Sequence, residues 1–281
     1  MSDDVEFHFF TTDTGHALAA KMTDDGPYPL KAEEALVEAA RRGKSKFVES
    51  LLKVELLVES KEKQRPVNVN ATNDRRQTAI HLAIEHRDAK YGSEQKYLKI
   101  IELLLRENAN INAQDSDGQT PLHYAVKFHN SAARELLFQY ELLDVGIRDV
   151  SGDCALQIAA RRPDLLAVYQ LIPVYISQRK YVQLAQVLLE GHQNEWLHIP
   201  SYQKSYKRFF RRTFISFLSE TRSLAEKAGG LIPVCPFIET PDGYETSVEE
   251  DKEWLKWAIK AREVIDIMEE RNKRIISTLR K

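Results

Sequence analysis

A short phrase recurs along this chain, and its recurrence limits the fold more than any other feature, because a repeated unit must be explained by repetition of structure. Thr120-Pro121-Leu122-His123-Tyr124-Ala125 is preceded by Asp115-Ser116-Asp117-Gly118 and followed, past a polar break, by Ala133-Arg134-Glu135-Leu136-Leu137. A second copy, Thr78-Ala79-Ile80-His81-Leu82-Ala83, has Asn73-Asp74 before it and Ile100-Ile101-Glu102-Leu103-Leu104-Leu105 after it. A third, Cys154-Ala155-Leu156-Gln157-Ile158-Ala159, follows Asp149-Val150-Ser151-Gly152. Glu107-Asn108-Ala109-Asn110-Ile111-Asn112-Ala113-Gln114-Asp115 and Val67-Asn68-Val69-Asn70-Ala71 read as links from one copy to the next. Each copy is too small to bury its own apolar residues, so neighbouring copies must cover one another.

These segments resemble the ankyrin repeat, whose pattern is a β-turn, a Thr-Pro-Leu-His start to a short helix, and a second helix rich in leucine. A weaker first copy, Ala35-Leu36-Val37-Glu38-Ala39-Ala40 with Phe47-Val48-Glu49-Ser50-Leu51-Leu52 as its second helix, lacks the Thr-Pro and the His, as suits an N-terminal cap. The resemblance implies an all-α fold in which about four repeats fill residues 31–178, after an irregular segment 1–30 and before a helical C-terminal region 179–281. Equivalent positions lie 43 residues apart from Glu38 to His81, 42 to His123 and 34 to Gln157. Only the last spacing is near the family's period of about 33. The excess falls around Lys53 to Pro66 and around His86 to Lys96, where insertions emerge as loops.

In the family, partner contacts come from the tips of the turns and from exposed positions on the first helices. By resemblance the tips are Asp74, Arg75, Arg76, Ser116, Asp117, Val150 and Ser151, and the helix positions include Glu85, His86, Lys127, Phe128 and Arg161. The Asp74-Arg75-Arg76-Gln77 tip lacks the glycine found at Gly118 and Gly152, which leaves its turn geometry open, since glycine takes a positive φ most cheaply. His81 and His123 invite a catalytic or metal-binding reading, but in the ankyrin pattern this histidine hydrogen-bonds within and between turns. Phe128 is either an interface anchor or a plug in the seam between repeats.

Beyond Ala160, Pro163 and Pro173 interrupt the chain, and the apolar run between them, Leu165 to Ile172, reads as the last second helix. Tyr181 to Leu189 reads as a further helix with Gly191 as its stop. From Ser201 to Ala228, Tyr206, Phe210, Phe214 and Phe217 recur at helical spacing, while Lys204, Lys207, Arg208, Arg211 and Arg212 supply five positive charges without an acid between them. This basic amphipathic helix either packs on its neighbours with a solvated charged side or binds an anionic membrane or nucleic acid. Pro233, Pro236 and Pro241 make Leu231 to Thr246 extended. A long helix from Ser247 to Leu279, with Ser247 and Glu250 forming a capping box, carries Trp254, Ala258, Ala261, Ile265, Met268, Asn272, Ile275 and Leu279 at the spacing of a coiled-coil seam. That seam packs internally, docks a partner helix or joins two copies in a homodimer, with Trp257 and Val264 widening its apolar face.

Composition excludes several classes. Forty basic against 42 acidic residues give a formal charge of −2, so no global positive field marks a general nucleic-acid binder. Two cysteines, Cys154 and Cys235, are too few for a disulfide framework or a cysteine-rich metal site, and a reducing compartment suits them. Cys235 has only His192 or His198 as remote candidate partners for nucleophilic chemistry. No phosphate-binding glycine loop, zinc-ligand set or nucleophile elbow occurs, so neither cofactor nor metal nor enzymatic activity is expected. The acidic N-terminus and the lack of a long apolar run point to an intracellular, cytoplasmic setting, with nuclear residence and delivery into a host cell left open. The expected function is a protein–protein adaptor. Its alternative is an effector whose repeats deliver a C-terminal region with a second activity, or with affinity for anionic lipid or nucleic acid.

Overall fold

A computed structural model describes residues 7–11, 17–23, 26–53, 67–85, 94–162, 164–193, 203–228 and 248–279. The insertions at 54–66 and 86–93, the proline-rich stretch 229–247 with Cys235, and the capping residue Ser247 lie outside the described residues. The chain divides into two compact units, Met1–Ile158 and Ala159–Lys281.

The first unit opens with strands β1 (Phe7–Thr11), β2 (Ala17–Thr23) and β3 (Gly26–Pro29), paired antiparallel in the order β1-β2-β3. Phe9 faces Ala19 in the β1–β2 register, and Ala20 faces Pro29 in the β2–β3 register. This corrects the expectation of an irregular segment at 1–30. Turn-prone Asp13-Thr14-Gly15 and Asp24-Asp25-Gly26 separate runs short enough to pair, and the strands show no clean polar alternation to announce them.

Helices α1 (Ala32–Arg41) and α2 (Ser45–Lys53), α3 (Ala79–Glu85) and α4 (Glu94–Arg106), and α5 (Pro121–Lys127) and α6 (Ser131–Leu137) then form successive pairs. First helices pack on first helices, α1 on α3 and α3 on α5, and second on second, α2 on α4 and α4 on α6. The helices α3, α5 and α7 (Ala155–Arg161) begin directly after Thr78, Thr120 and Cys154, the equivalent positions of the three copies. With α1 and α5 on its two sides, α3 is buried all round, and α5 is likewise buried: Ala79 through Ile84 and Pro121 through Val126 are inaccessible. A short turn joins α1 to α2, and another joins α5 to α6. Lys44 N–H donates to Ala39 O at 2.9 Å and Asn130 N–H to Ala125 O at 2.8 Å, with Gly43 and His129 at φ +65° and +52° ending the first helices. The Asn130 side chain then caps α6 through Ala133 N–H at 3.0 Å.

The asparagines of the links form a ladder of their own. Asn70 Oδ1 accepts from Asn110 N–H at 2.7 Å, and Asn112 Oδ1 accepts from Asp144 N–H at 2.9 Å. Each link is thereby pinned to the next, and two backbone donors of these irregular stretches gain a side-chain acceptor.

In the second unit α8 (Leu165–Ser177) runs through Pro173, which lies on its exposed side, so the expected interruption there costs a backbone hydrogen bond but not the helix. Likewise α9 (Tyr181–Gln193) continues past Gly191, since one glycine costs a helix only about 1 kcal/mol. The α8–α9 turn repeats the closure seen within the pairs of the first unit: Lys180 N–H donates to Tyr175 O at 2.9 Å and Arg179 takes φ +58°. Helices α10 (Gln203–Lys227) and α11 (Val248–Leu279) pack on α9 and on each other. Within this packing α10 buries Phe214, Phe217 and Leu218, and α11 buries Leu255, Trp257, Ala258, Ala261 and Ile265. Arg262, only 7% exposed, lies in that seam with its guanidinium 5.9 Å from the Tyr181 ring and 5.4 Å from the Phe217 ring, and donates to Thr221 Oγ1 at 2.9 Å. The first half of α11 thus spends its apolar face inside this unit, while residues 269–275 are exposed.

Candidate protein-binding surface

Three turns of one design stand before α3, α5 and α7. In each, an Asx side chain at the first position accepts two backbone donors. Asn73 Oδ1 takes Arg75 N–H and Gln77 N–H, both at 3.0 Å. Asp115 Oδ1 takes Asp117 N–H at 2.9 Å and Gln119 N–H at 2.8 Å, and Asp149 Oδ1 takes Ser151 N–H at 2.9 Å and Asp153 N–H at 3.0 Å. The fourth position has a positive φ in all three: Arg76 at +57°, Gly118 at +72° and Gly152 at +82°. The tip that lacks glycine therefore keeps the geometry, with an arginine held in the left-handed region by the asparagine cage around it.

The turns are tied into a row. Ser116 N–H donates to Arg75 O at 2.9 Å, and Val150 N–H donates to Asp117 O at 2.9 Å. Beneath them, each histidine clamps its own helix start and the following turn. His81 Nδ1 accepts from Thr78 N–H at 3.1 Å, and its Nε2 reaches Gln119 O at 3.0 Å. His123 repeats this on Thr120 N–H at 3.1 Å and Asp153 O at 3.2 Å. The bonding assigns the proton to Nε2, since Nδ1 is already an acceptor. Burial accordingly pushes the His81 imidazole down to about 4, and it lowers His123 as well. In the third copy Gln157 stands in for the histidine, and its Oε1 accepts from Cys154 N–H at 3.1 Å. The rings of His81 and His123 thus have both their nitrogens engaged by the backbone of the turns.

A buried polar chain that sequence reasoning missed joins the first two turns. Gln77 Nε2 donates to the Tyr124 hydroxyl at 2.7 Å, which donates to Asp115 Oδ2 at 2.7 Å. Burial and the Asp115 carboxylate both push the Tyr124 phenol up, so it remains a donor at all ordinary pH values. The His81 ring meets the Tyr124 ring edge-on at 5.0 Å. Lys127 Nζ lies 5.7 Å from the Tyr124 ring and 5.9 Å from the Phe128 ring, and it donates to Gln119 Oε1 at 3.2 Å.

The expected contact residues fall as follows. Asp74, Arg75, Arg76, Ser116, Asp117, Val150 and Ser151 are exposed at the tips, and Glu85, Lys127 and Phe128 are half-buried along the first helices. Phe128 packs on Tyr124 at 5.7 Å and keeps part of its ring exposed. In the second unit Arg161 is exposed at the end of α7. His86 lies outside the described residues. Of the basic set, Arg211 is half-buried and Arg212 exposed on α10, while Lys204, Lys207 and Arg208 lie on that helix with side chains outside the described atoms. Cys154 is fully buried. Among the described residues no group of three or more His, Cys, Asp or Glu is placed to hold a metal ion, and no helix is long and apolar enough to cross a membrane.

Residues 89–190 match the ankyrin-repeat family in three copies. That stretch carries ankyrin repeats. The chain's similarity extends to Rabankyrin-5 of Mus musculus, 34% identical over 93 residues that cover 32% of this chain and 8% of that protein. Inversin of Mus musculus is 29% identical over 159 residues, 56% of this chain and 13% of its own length. A homologue of transient receptor potential cation channel subfamily A member 1 from Caenorhabditis elegans is 36% identical over 89 residues, 31% and 7% of the two chains. The chain thus spans only a small part of these relatives. Ankyrin repeats generally mediate protein–protein interaction.

Two stability measurements test the ankyrin turns. A Cβ on Gly118 would stand 3.0 Å from the Val150 nitrogen in a left-handed backbone, so Gly118→Ala is expected to cost roughly 1–2 kcal/mol in urea unfolding. Arg76→Gly is expected to be neutral or stabilising by up to about 1 kcal/mol, and a loss of that size would show that Arg76 is not strained. The His81 clamp carries a pH signature. Its folded value near 4 lies below the ordinary 6.5, so the unfolded chain binds more protons between these limits, and the stability present above pH 6.5 is lost as pH falls towards 4. The advantage of the wild type over His81→Gln should therefore shrink by on the order of 3 kcal/mol across that window, whereas parallel pH curves would contradict a buried neutral imidazole.

Proposed function

We propose that this chain is a protein–protein adaptor that holds its partner on the face formed by the turn tips and the exposed parts of the first helices. The observation that carries this reading is a division of labour within each turn. The inward groups, Asn73, Asp115, Asp149 and the two histidines, are consumed in holding the turns, which leaves the outward side chains free of any structural duty. Asp74, Arg75, Arg76, Ser116, Asp117, Val150 and Ser151 differ from tip to tip, as residues selected for a ligand would.

The centre of this face is Lys127, held beside two aromatic rings. Such a lysine presents its ammonium with less loss of side-chain entropy than a free one, and the rings beneath it supply apolar contact. A partner with an acidic group flanked by an apolar side chain fits it. Glu85, held by Gln77 Nε2 at 3.3 Å, gives the same face a negative neighbour and with it a means of excluding other ligands. The basic set Lys204, Lys207, Arg208, Arg211 and Arg212 supports the alternative, an anion-binding role for the C-terminal region, only through its composition.

Affinity capture from cells of the source organism, with the full chain as bait, separates these readings. Arg75→Glu, Lys127→Glu and Phe128→Ala together are expected to reduce the recovered partner at least roughly tenfold, the scale of one lost hot spot, with little change in thermal stability. Retention of the partner by that variant, with its loss on charge reversal at Lys204, Lys207, Arg208, Arg211 and Arg212, would move the binding function to α10.

A further inference from the structure

Glu85 and Lys127 occupy the same place in successive repeats, each seven residues after the threonine that starts its helix, and the glutamine just before that threonine holds each of them. Gln77 Nε2 donates to Glu85 Oε2 at 3.3 Å, and Lys127 Nζ donates to Gln119 Oε1 at 3.2 Å. An amide serves either sign, because it carries both donor and acceptor, and it orients a charged end without adding an opposite charge. The two places also belong to one assembly. Gln77, 5% exposed, donates from the same nitrogen to the Tyr124 hydroxyl at 2.7 Å, and the Tyr124 ring lies 5.7 Å from Lys127 Nζ. Carboxylate and ammonium are therefore set at a fixed separation through the buried Gln77 and Tyr124. Beside Glu85 a cavity of about 290 Å³ opens, with Leu82 and Asp74 also in its wall. It has room for one long side chain and is small for a whole ligand. Arg41 and Arg75 line it too, and Arg41 is already bound by Glu38 at 2.8 and 2.6 Å.

We propose that Glu85 and Lys127 are read as a pair by a segment of a partner protein that inserts a lysine or arginine side chain into the cavity at Glu85 and sets an aspartate or glutamate on Lys127. This inference rests on the adaptor reading and specifies the chemistry of its ligand. Charge complementarity argues for it. A segment that covers the Lys127 ammonium and its rings also takes water from Glu85, because the two share one assembly, and a carboxylate stripped of water must meet a cation or a hydrogen-bond donor. A ligand acidic at both points is thereby rejected, and so is one basic at both, which makes the pair a device for selection as well as for attachment. The occupant is a partner segment in preference to a second copy. Two-fold pairing would also bring a lysine to Glu85, but Lys127 of the second copy is held by its own Gln119 beside Tyr124 and Phe128, where it does not reach into a cavity.

The test uses the full chain to select binders from a displayed library of random linear peptides, and a selected peptide is then titrated against the wild type, Glu85→Gln and Lys127→Met. Glu85→Gln removes the charge and keeps an acceptor for Gln77, and Lys127→Met keeps the length of the side chain, so both variants should fold. The selected peptides are expected to share one basic and one acidic residue at a constant separation. Glu85→Gln should weaken the peptide at least about fivefold, replacement of its basic residue by glutamine should do the same, and the two changes together should cost little more than either alone. Selected peptides without the basic residue, or equal affinity for Glu85→Gln, would overturn the pairing while a loss at Lys127→Met left the adaptor face standing. Peptides that bind Lys127→Met as tightly as the wild type, or no enrichment at all, would overturn both. Self-association of the free chain that Glu85→Gln abolishes would give the pair to a second copy and overturn the proposal as well.

Discussion

A buried imidazole that donates from Nε2 to the carbonyl of the next turn is the constraint on which the rest of the first unit depends. Each repeat is too thin to keep its first helix out of water by itself, and α3 is inaccessible because α1 and α5 lie on either side of it. Apolar contact supplies most of that stability, but it does not set the register of one layer on the next. The His81–Gln119 and His123–Asp153 bonds do, because each joins the start of one helix to the turn that starts the following helix. With the turns fixed, the Ser116–Arg75 and Val150–Asp117 bonds close the row.

Function follows from where this constraint places its leftovers. The Asx cages turn every inward polar group into structure, so the tips are rigid without using their outward side chains. Rigid presentation lowers the ordering entropy that binding must overcome, which is the advantage of a solenoid over a flexible loop. The Gln77–Tyr124–Asp115 chain extends the same logic to the helices, since it fixes the tyrosine on which Lys127 and Phe128 rest. Side chains at Arg75, Lys127 and Phe128 can then be exchanged without disturbing the stack, and this separation is why fold alone does not identify the partner.

Much of this was legible in the chain because ankyrin turns are encoded locally. Thr120, His123 and Asp115 bond within a few residues of one another, so their spacing carries the geometry. What was not legible depends on distant neighbours. Tyr124 reads as a plain helix residue, and only contact with Gln77, 47 residues away, makes it the centre of a polar chain. Arg76 left its turn open on paper, and the cage around Asn73 is what carries a non-glycine residue into the left-handed region. The N-terminal strands escaped notice because pairing of short segments such as Phe7–Thr11 and Ala17–Thr23 lacks a periodic signal. In the second unit, heptad spacing drew attention to Ala258, Ala261 and Ile265 but not to Arg262, whose burial between Tyr181 and Phe217 is a cation–ring effect invisible to hydropathy.

The claim beneath all of this is that one histidine proton holds one turn to the next. Nitrogen NMR of the imidazoles at neutral pH tests it most directly. The structure predicts that His81 and His123 are both neutral, protonated at Nε2, and coupled across a hydrogen bond to the carbonyl carbons of Gln119 and Asp153, with slowly exchanging amides at Ser116 and Val150. Rings protonated at Nδ1, or ring protons exchanging as fast as those of an exposed histidine, would contradict it.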